Sequence, residues 1–189
     1  RISLRWAKQR EQWGKPIGQH AAIAQKLSNI AADAFATEAM VSYTSALVDQ
    51  DKHADIRLEA AMAKLWGTEA AWSCIDQTMQ IKGGRGYETA QSLDKRGDLP
   101  DPIERMMRDC RINCIFEGSS EIMRLFIARE MLDPHLREGG AVLDSRKDTA
   151  ERIKAGAHAA WHYTKWYTAR CIPHTPELTE NEYLHPRIH

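Results

Sequence analysis

The chain has 189 residues, with 26 basic and 26 acidic side chains and a formal net charge of zero. It carries no long basic run, which argues against nucleic acid as the main partner, and no apolar run near the roughly eighteen residues that a membrane span needs. This length holds one good core, or one domain and part of a second.

Arg1 stands where a Met is usual, and the sequence ends on Pro186-Arg187-Ile188-His189 with no closing signal, so a piece of a longer protein is expected. Cys74, Cys110, Cys114 and Cys171 have no further ligands at zinc-site spacing. They read as buried thiols in a reducing compartment, and no metal site is expected.

Residues 1–12 read as helical, and Gly14, Pro16 and Gly18 break the segment. A second helix is predicted over about 20–50, where Ile23, Leu27, Ile30, Ala34, Val41 and Val48 keep a three–four spacing on one face. A third is predicted over about 54–82, with Leu58, Ala61, Leu65, Thr68, Trp72, Ile75 and Met79 as its inner face. Small residues on it, Ala60 to Ala71, allow close approach by a neighbour. Gly83, Gly84 and Gly86 end it. Gln91 to Pro102 reads as a polar loop and about 103–112 as a short helix. The next helix, about 119–133, is expected to stop before Pro134, with Gly139 and Gly140 as a linker. Residues 145–171 form another helix, rich in Ala and aromatics, and the last eighteen residues read as irregular. No segment has a strand period. The fold class expected is all-α, an antiparallel up-and-down helical bundle.

Three stretches carry chemistry. Glu117 lies between Ile115-Phe116 and Gly118, where apolar neighbours would desolvate a carboxylate and raise its pKa. The glycine permits a sharp turn or a close ligand. Ser119 and Ser120 can cap a helix, with Glu121 in its first turn. Read from spacing alone, a simple turn is the commoner explanation. Arg10-Glu11-Gln12-Trp13-Gly14 could clamp an anion or stack on a ring, or could be a helix end with a buried Trp. Gln80-Ile81-Lys82-Gly83-Gly84-Arg85-Gly86-Tyr87 could cradle a pyrophosphate on backbone N–H groups, or be a glycine cap; a helix precedes it, so it is no Rossmann fingerprint. Glu182 and His185 form one Glu-x-x-His pair where a di-iron bundle uses two, and chance is the better source.

Taken together and in their order along the chain, the three stretches resemble the acyl-CoA dehydrogenase family. Glu117-Gly118-Ser119, followed by Ile122, Arg124 and Ile127-Ala128-Arg129, is similar to the catalytic Glu-Gly-Thr/Ser segment that opens the last helix of the family's C-terminal bundle. Residues 10–17 are similar to its Arg-x-x-Phe-Gly-x-Pro-Ile, with Trp13 in place of Phe; Ala21 stands where a flavin-contacting Gln is often found. Residues 80–87 are similar to its Gln-x-x-Gly-Gly-x-Gly-Tyr/Phe.

The resemblance covers residues 1 to about 135. It implies Glu117 as the base that takes the α-proton and Gly118 against the substrate. It also implies FAD contacts from Arg10, Trp13, Gln80, Gly83, Gly84, Ser119 and Glu121, the first five toward a neighbouring subunit's cofactor. The activity implied is α,β-dehydrogenation of an acyl-CoA in β-oxidation. Implied partners are the acyl-CoA, an electron-transfer flavoprotein and further copies of the chain in a dimer or tetramer. The compartment implied is the cytoplasm in a bacterium or the mitochondrion in a eukaryote.

The family's N-terminal helical and middle β-domains are missing from this sequence, so the isolated chain is expected to be inactive. Residues 136–189 extend past the point where many members end. They are similar to the added region of the long-chain branch, whose extra domain favours dimers and membrane association. The Gln91–Pro102 loop is longer than the family's usual link. An acyl-CoA oxidase with the same base, and a non-catalytic helical dimerisation module, are the alternative readings.

Overall fold

The computed structural model describes residues 1–171. These form eight α-helices and one minimal hairpin: α1 (Ile2–Gln9), β1 (Glu11–Gln12), β2 (Lys15–Pro16), α2 (Ala21–Gln50), α3 (Arg57–Lys82), α4 (Gly84–Tyr87), α5 (Ala90–Lys95), α6 (Ile103–Arg111), α7 (Ser120–Leu143) and α8 (Thr149–Cys171). The all-α class expected from the helical periodicity is what the chain adopts. The Glu182–His185 pair and the irregular tail fall outside the described residues. By its contacts the chain divides into two units, Arg1–Glu130 and a second that starts at Met131.

In the first unit α2 and α3 are an antiparallel pair. Gly67 lies against Thr37, where an added Cβ would sit 3.4 Å from its methyl, while Cys74 feels the charge of Asp33; positions later on one helix meet positions earlier on the other. The small residues of α3 thus serve the close approach predicted for them. The inner face of α3 is as expected, with Ala61 buried and Leu65, Thr68, Trp72, Ile75 and Met79 partly buried. That of α2 is so only in part. Ile23, Leu27 and Ile30 pack inward and Val48 is half-buried, but Ala34 and Val41 are exposed, and the half-buried positions near them include Asp33, Ala36, Thr37, Met40, Thr44 and Leu47. This helix is apolar around much of its circumference, so apolar spacing alone does not choose the inner side.

A small core joins the start of the chain to the end of α3. Ala7, Ile17 and Ile81 are buried together, with Trp6, Ile23, Leu27 and Ile30 packed around them. Ser3 and Thr78 share a 2.7 Å hydrogen bond across α1 and α3. Beside them lies an ion cluster: Asp101 accepts from Arg5 at 2.6 and 2.8 Å and from buried Lys82 at 2.8 Å. Lys82 and Arg85 also lie over the Trp6 ring, 5.3 and 5.6 Å from its centre.

The stretch from Gln91 to Pro102 is not all loop. Thr89 caps α5 by accepting the Ser92 N–H, and Leu93 is wholly buried. The helix ends at Gly97, φ +80°, whose N–H bonds to the Asp94 carbonyl while that of Asp98 bonds to Leu93, a Schellman closure. One large apolar side chain in six residues gives no periodicity to read.

Helix α7 runs through Pro134 to Leu143 rather than stopping, and Gly139 and Gly140 are helical, not a linker. Pro134 cannot donate to the Glu130 carbonyl, so one hydrogen bond is lost. Glu130 is held from its side chain by Arg57 at 3.2 Å. In the second unit His135 stacks on Tyr163, which also hydrogen-bonds it at 3.0 Å, and Gly139 lies near the same tyrosine. No helix among the described residues is long and apolar enough to cross a membrane.

Candidate functional site

A 3-10 turn, Ile112–Cys114, carries the chain from α6 to Glu117. Glu117 has φ +51° and Gly118 φ +96°, two consecutive residues in the left-handed region. A side chain at position 118 would be strained by this φ, and its Cβ would lie 2.7 Å from the end of Met123. For glutamate a positive φ is a sparsely populated state that the surroundings must enforce. Among the described residues Trp13, at φ +50°, is the other non-glycine to share it. Both are residues singled out by their sequence context.

Glu117 is exposed, and so are Ile115 and Phe116. The apolar neighbours therefore do not bury the carboxylate within this chain, as their sequence positions had suggested, because they turn outward with it. The Gly118 carbonyl accepts a hydrogen bond from Lys64 Nζ on α3. Ser119 caps α7, its Oγ accepting the Ile122 N–H at 3.4 Å and its carbonyl that of Met123 at 2.8 Å. Glu121 accepts from its own N–H and from Ser119, and these bonds hold its carboxyl below the usual range. Ser119, Glu121, Arg124, Glu69, Trp72 and Arg111 line an open pocket of about 430 Å³. Arg124 binds Glu69 at 2.6 and 2.7 Å, and Arg111 lies 5.4 Å from the centre of the Trp72 ring. Arg111 and Glu69 have no local sequence signal, since pocket and partners form only when α3, α6 and α7 meet.

The other two stretches lie together, at the far end of α3. Arg10 closes α1 and is exposed. Its carbonyl accepts from Ile17, which sits in the small core beside Ile81. Trp13 is 88% exposed, with His20 edge-on 5.4 Å away. This excludes the buried-Trp reading; Trp6 is the tryptophan that packs on the core. Gln80 is exposed, and its carbonyl accepts the Gly83 N–H.

The three glycines that follow differ in kind. A Cβ on Gly86 would lie 2.6 Å from the Met79 carbonyl, so packing requires that glycine. Gly83 has φ +62° and is required by its backbone. Gly84 has ordinary φ, and an added Cβ would meet nothing within 4 Å. Nothing among the described residues demands a glycine there.

Nineteen residues of α3 separate Lys64, at the Glu117 turn, from Gly83, about 28 Å at the helical rise. The structure thus keeps Glu117 to Glu121 beside Lys64, and the segments that carry Arg10 and Trp13, and Gln80, Gly83 and Gly84, on the one small core of Ile17 and Ile81 toward the other end of α3. Among the described residues no three His, Cys, Asp or Glu side chains cluster so as to hold a metal. Cys110 and Cys114 are buried, Cys74 is half-buried, and Cys171 is exposed.

Comparison with known proteins matches residues 1–132 to the family described as acyl-CoA dehydrogenase, C-terminal domain. The chain is 51% identical over 166 residues to "Probable acyl-CoA dehydrogenase FadE10" of Mycobacterium tuberculosis, covering 88% of this chain and 25% of that protein. It is 39% identical over 123 residues to the mitochondrial very long-chain specific acyl-CoA dehydrogenase of Bos taurus, covering 65% of this chain and 17% of that one. Among solved structures, a glutaryl-coenzyme A dehydrogenase with glutaryl-CoA superposes with a TM-score of 0.59 at 26% identity, over 70% of this chain and 31% of the other. The FAD complex of PigA does so with a TM-score of 0.59 at 26% identity, over 68% and 30%. The chain spans about a quarter or less of the length of the curated relatives it matches. With a family match over most of its residues, the chain belongs to the acyl-CoA dehydrogenase family, as a form of its C-terminal helical domain.

Proposed function

We propose that this chain is the part of an FAD-dependent acyl-CoA dehydrogenase that supplies the catalytic base, Glu117, for α,β-dehydrogenation of an acyl-CoA thioester. The observation that carries this is the left-handed pair Glu117–Gly118: an exposed carboxylate held in a costly backbone state with no partner for it among the described residues. Membership of the family supports the reaction class.

An α-C–H is a poor acid, so the base must sit within reach of it in a fixed pose, in surroundings that water does not share. Glu117 projects from this chain with Ile115 and Phe116 beside it. The rest of the protein, with substrate, supplies the apolar cover those side chains need. Charge that builds on the thioester oxygen as the proton leaves requires donors. The backbone N–H of Glu117 has no partner among the described residues and is free to be one. Gly118 lies against the substrate, where lack of a side chain keeps the approach open.

The fit to FAD rests on the same chain. Trp13 offers an exposed ring face and Arg10 an exposed cation. Gln80 and Gly83 frame a turn, and Gly84 leaves backbone open where no internal packing asks for it. Ser119 and Glu121 offer polar groups at the start of α7, Glu121 as an ionised acceptor suited to hydroxyls. The chemistry supplied by bound FAD is acceptance of the β-hydride. With about 28 Å along α3 between the two groups, Arg10 to Gly84 serve the FAD of a neighbouring subunit and Ser119 and Glu121 that of their own. This reading takes a dimer or tetramer as the working form, and an electron-transfer flavoprotein as the electron acceptor.

Residues 1–135 are the family domain in this reading, and the residues from 136 on begin an added C-terminal region, helical as far as Cys171. Its likeness to the long-chain branch favours long acyl chains and a peripheral membrane contact through that region. The compartment is cytoplasmic in a bacterium and mitochondrial in a eukaryote. A chain-length profile that peaks at short acyl groups would count against the long-chain assignment.

The test is made on the full-length parent. It should purify with a flavin spectrum, and an anaerobic series of acyl-CoAs should bleach it in one chain-length class. A flavin that no acyl-CoA reduces would remove the reaction; absence of flavin would remove the cofactor. Rapid oxygen consumption without a flavoprotein acceptor would make it an oxidase. Gly84→Val is expected to lower flavin content at least tenfold by crowding the open turn, as about 1.4 kcal/mol of lost binding gives. Its melting temperature should stay unchanged, because an added Cβ meets nothing within 4 Å among the described residues; absorbance per subunit checks the first outcome and calorimetry the second.

A further inference from the structure

The left-handed turn at Glu117 and Gly118 needs a restraint, and the fold offers few. Segment 114–118 is tied to α3 at two points one helical turn apart. Cys114 Sγ donates to the Thr68 carbonyl at 3.6 Å, and Lys64 Nζ donates to the Gly118 carbonyl. The second is the one hydrogen bond that the backbone of Glu117 and Gly118 makes among the described residues. Lys64 is half-buried, and no carboxylate among the described residues lies within ion-pair distance of it. An ammonium that spends its charge on a neutral carbonyl, when Glu69 lies five residues on and is occupied by Arg124, is an unusual choice. It gives a charge-assisted bond, stronger than a neutral one, to the peptide that follows the proposed base.

We propose that Lys64 is a positioning residue for Glu117. By fixing the Gly118 carbonyl to the rigid α3, it holds the left-handed turn that aims the carboxylate and keeps the Glu117 N–H turned outward. This rests on Glu117 being the base. Lys64 touches neither substrate nor flavin in this role and acts through the backbone alone.

The experiment uses the full-length holoenzyme with Lys64→Met, Lys64→Arg and Glu117→Gln side by side. Lys64→Met keeps the aliphatic stem and removes the donor. Its kcat is expected to fall about 100-fold, the effect of a small misalignment of a reacting group. KM, flavin content and melting temperature should stay near wild type. Lys64→Arg, which keeps a cationic donor, should recover most of the loss. Hydrogen exchange in a peptide spanning residues 119–126 should quicken in Lys64→Met, because the Ile122 and Met123 amides bond to Ser119, next to the loosened carbonyl. A Lys64→Met enzyme within twofold of wild-type kcat, beside an inactive Glu117→Gln, would overturn the role of Lys64 alone. So would parallel loss of kcat, flavin and melting temperature, the mark of a mere structural peg. A wild-type-like Glu117→Gln would overturn the base, and the positioning role with it.

Discussion

In the full-length parent, Glu117→Gln is expected to fold, to carry its flavin and to turn over roughly 10³-fold more slowly than wild type, within the range a positioned general base contributes. Glutamine matches glutamate in size and keeps the backbone N–H that is proposed as a donor. It cannot take up a proton near neutral pH. No part of the fold leans on the carboxylate, since Glu117 is exposed and has no hydrogen-bonded partner among the described side chains. Structure and chemistry are thus separable at this position. Flavin absorbance and thermal melting should match wild type, while the rate of anaerobic bleaching by acyl-CoA collapses. Activity near that of wild type would remove Glu117 as the base.

Asp101→Asn is expected to lose about 3 kcal/mol of stability, measured by urea unfolding of the parent protein, with little direct effect on turnover. Its partner Lys82 has a side chain only 3% exposed, and Asp101 itself is 13% exposed. Removing the carboxylate leaves a buried ammonium without its counter-ion, and breaking a buried pair from one side costs about 3–5 kcal/mol. Arg5 is 42% exposed, so Arg5→Gln should cost no more than about 1 kcal/mol. Replacing both members, Lys82→Met with Asp101→Leu, should recover most of the loss, because the expense lies in the orphaned charge rather than in the missing attraction.

The same cluster sets a pH dependence. Burial pushes the Asp101 carboxyl up, but the hydrogen bonds from Lys82 and Arg5 outweigh it and hold the group below its ordinary value. A carboxyl whose folded pKa is depressed stabilises the fold fully above its unfolded value, about 3.9. That contribution is lost as pH falls from there through the folded pKa. Wild type and Asp101→Asn should therefore converge in stability below about pH 4.

Glu117, Gly118 and the Ser119 cap were legible in the sequence because a left-handed turn before a helix leaves local marks: a glycine, a capping hydroxyl, an acid in the first turn. The limits of α2 and α3 were legible from long apolar spacing. The inner face of α2 was legible only in part, because a helix with apolar residues on several sides does not say which one the chain will cover. Helix α5 hid behind a single apolar residue, although Thr89 and Gly97 are cap signals at both its ends. Pro134 suggested a stop, yet a helix survives a proline when only one carbonyl is orphaned. Lys64 and Asp101 left no trace at all. Their partners lie 54 and 19 or more residues away, and the lysine and the aspartate look like ordinary surface charges until the helices pack. The outward turn of Glu117 was equally hidden: apolar neighbours in sequence indicate burial only if something in space closes over them.

On the proposed assignment of the two groups, the length of α3 makes the cofactor a property of the assembly rather than of the subunit. A helix that sets the two proposed binding edges about 28 Å apart does not fold both around one nucleotide. On that reading each flavin is completed by a second chain. Occupancy becomes tied to concentration by mass action: diluting the protein until subunits part would strip flavin from sites whose own residues are unaltered, and excess free flavin would in turn drive the subunits back together.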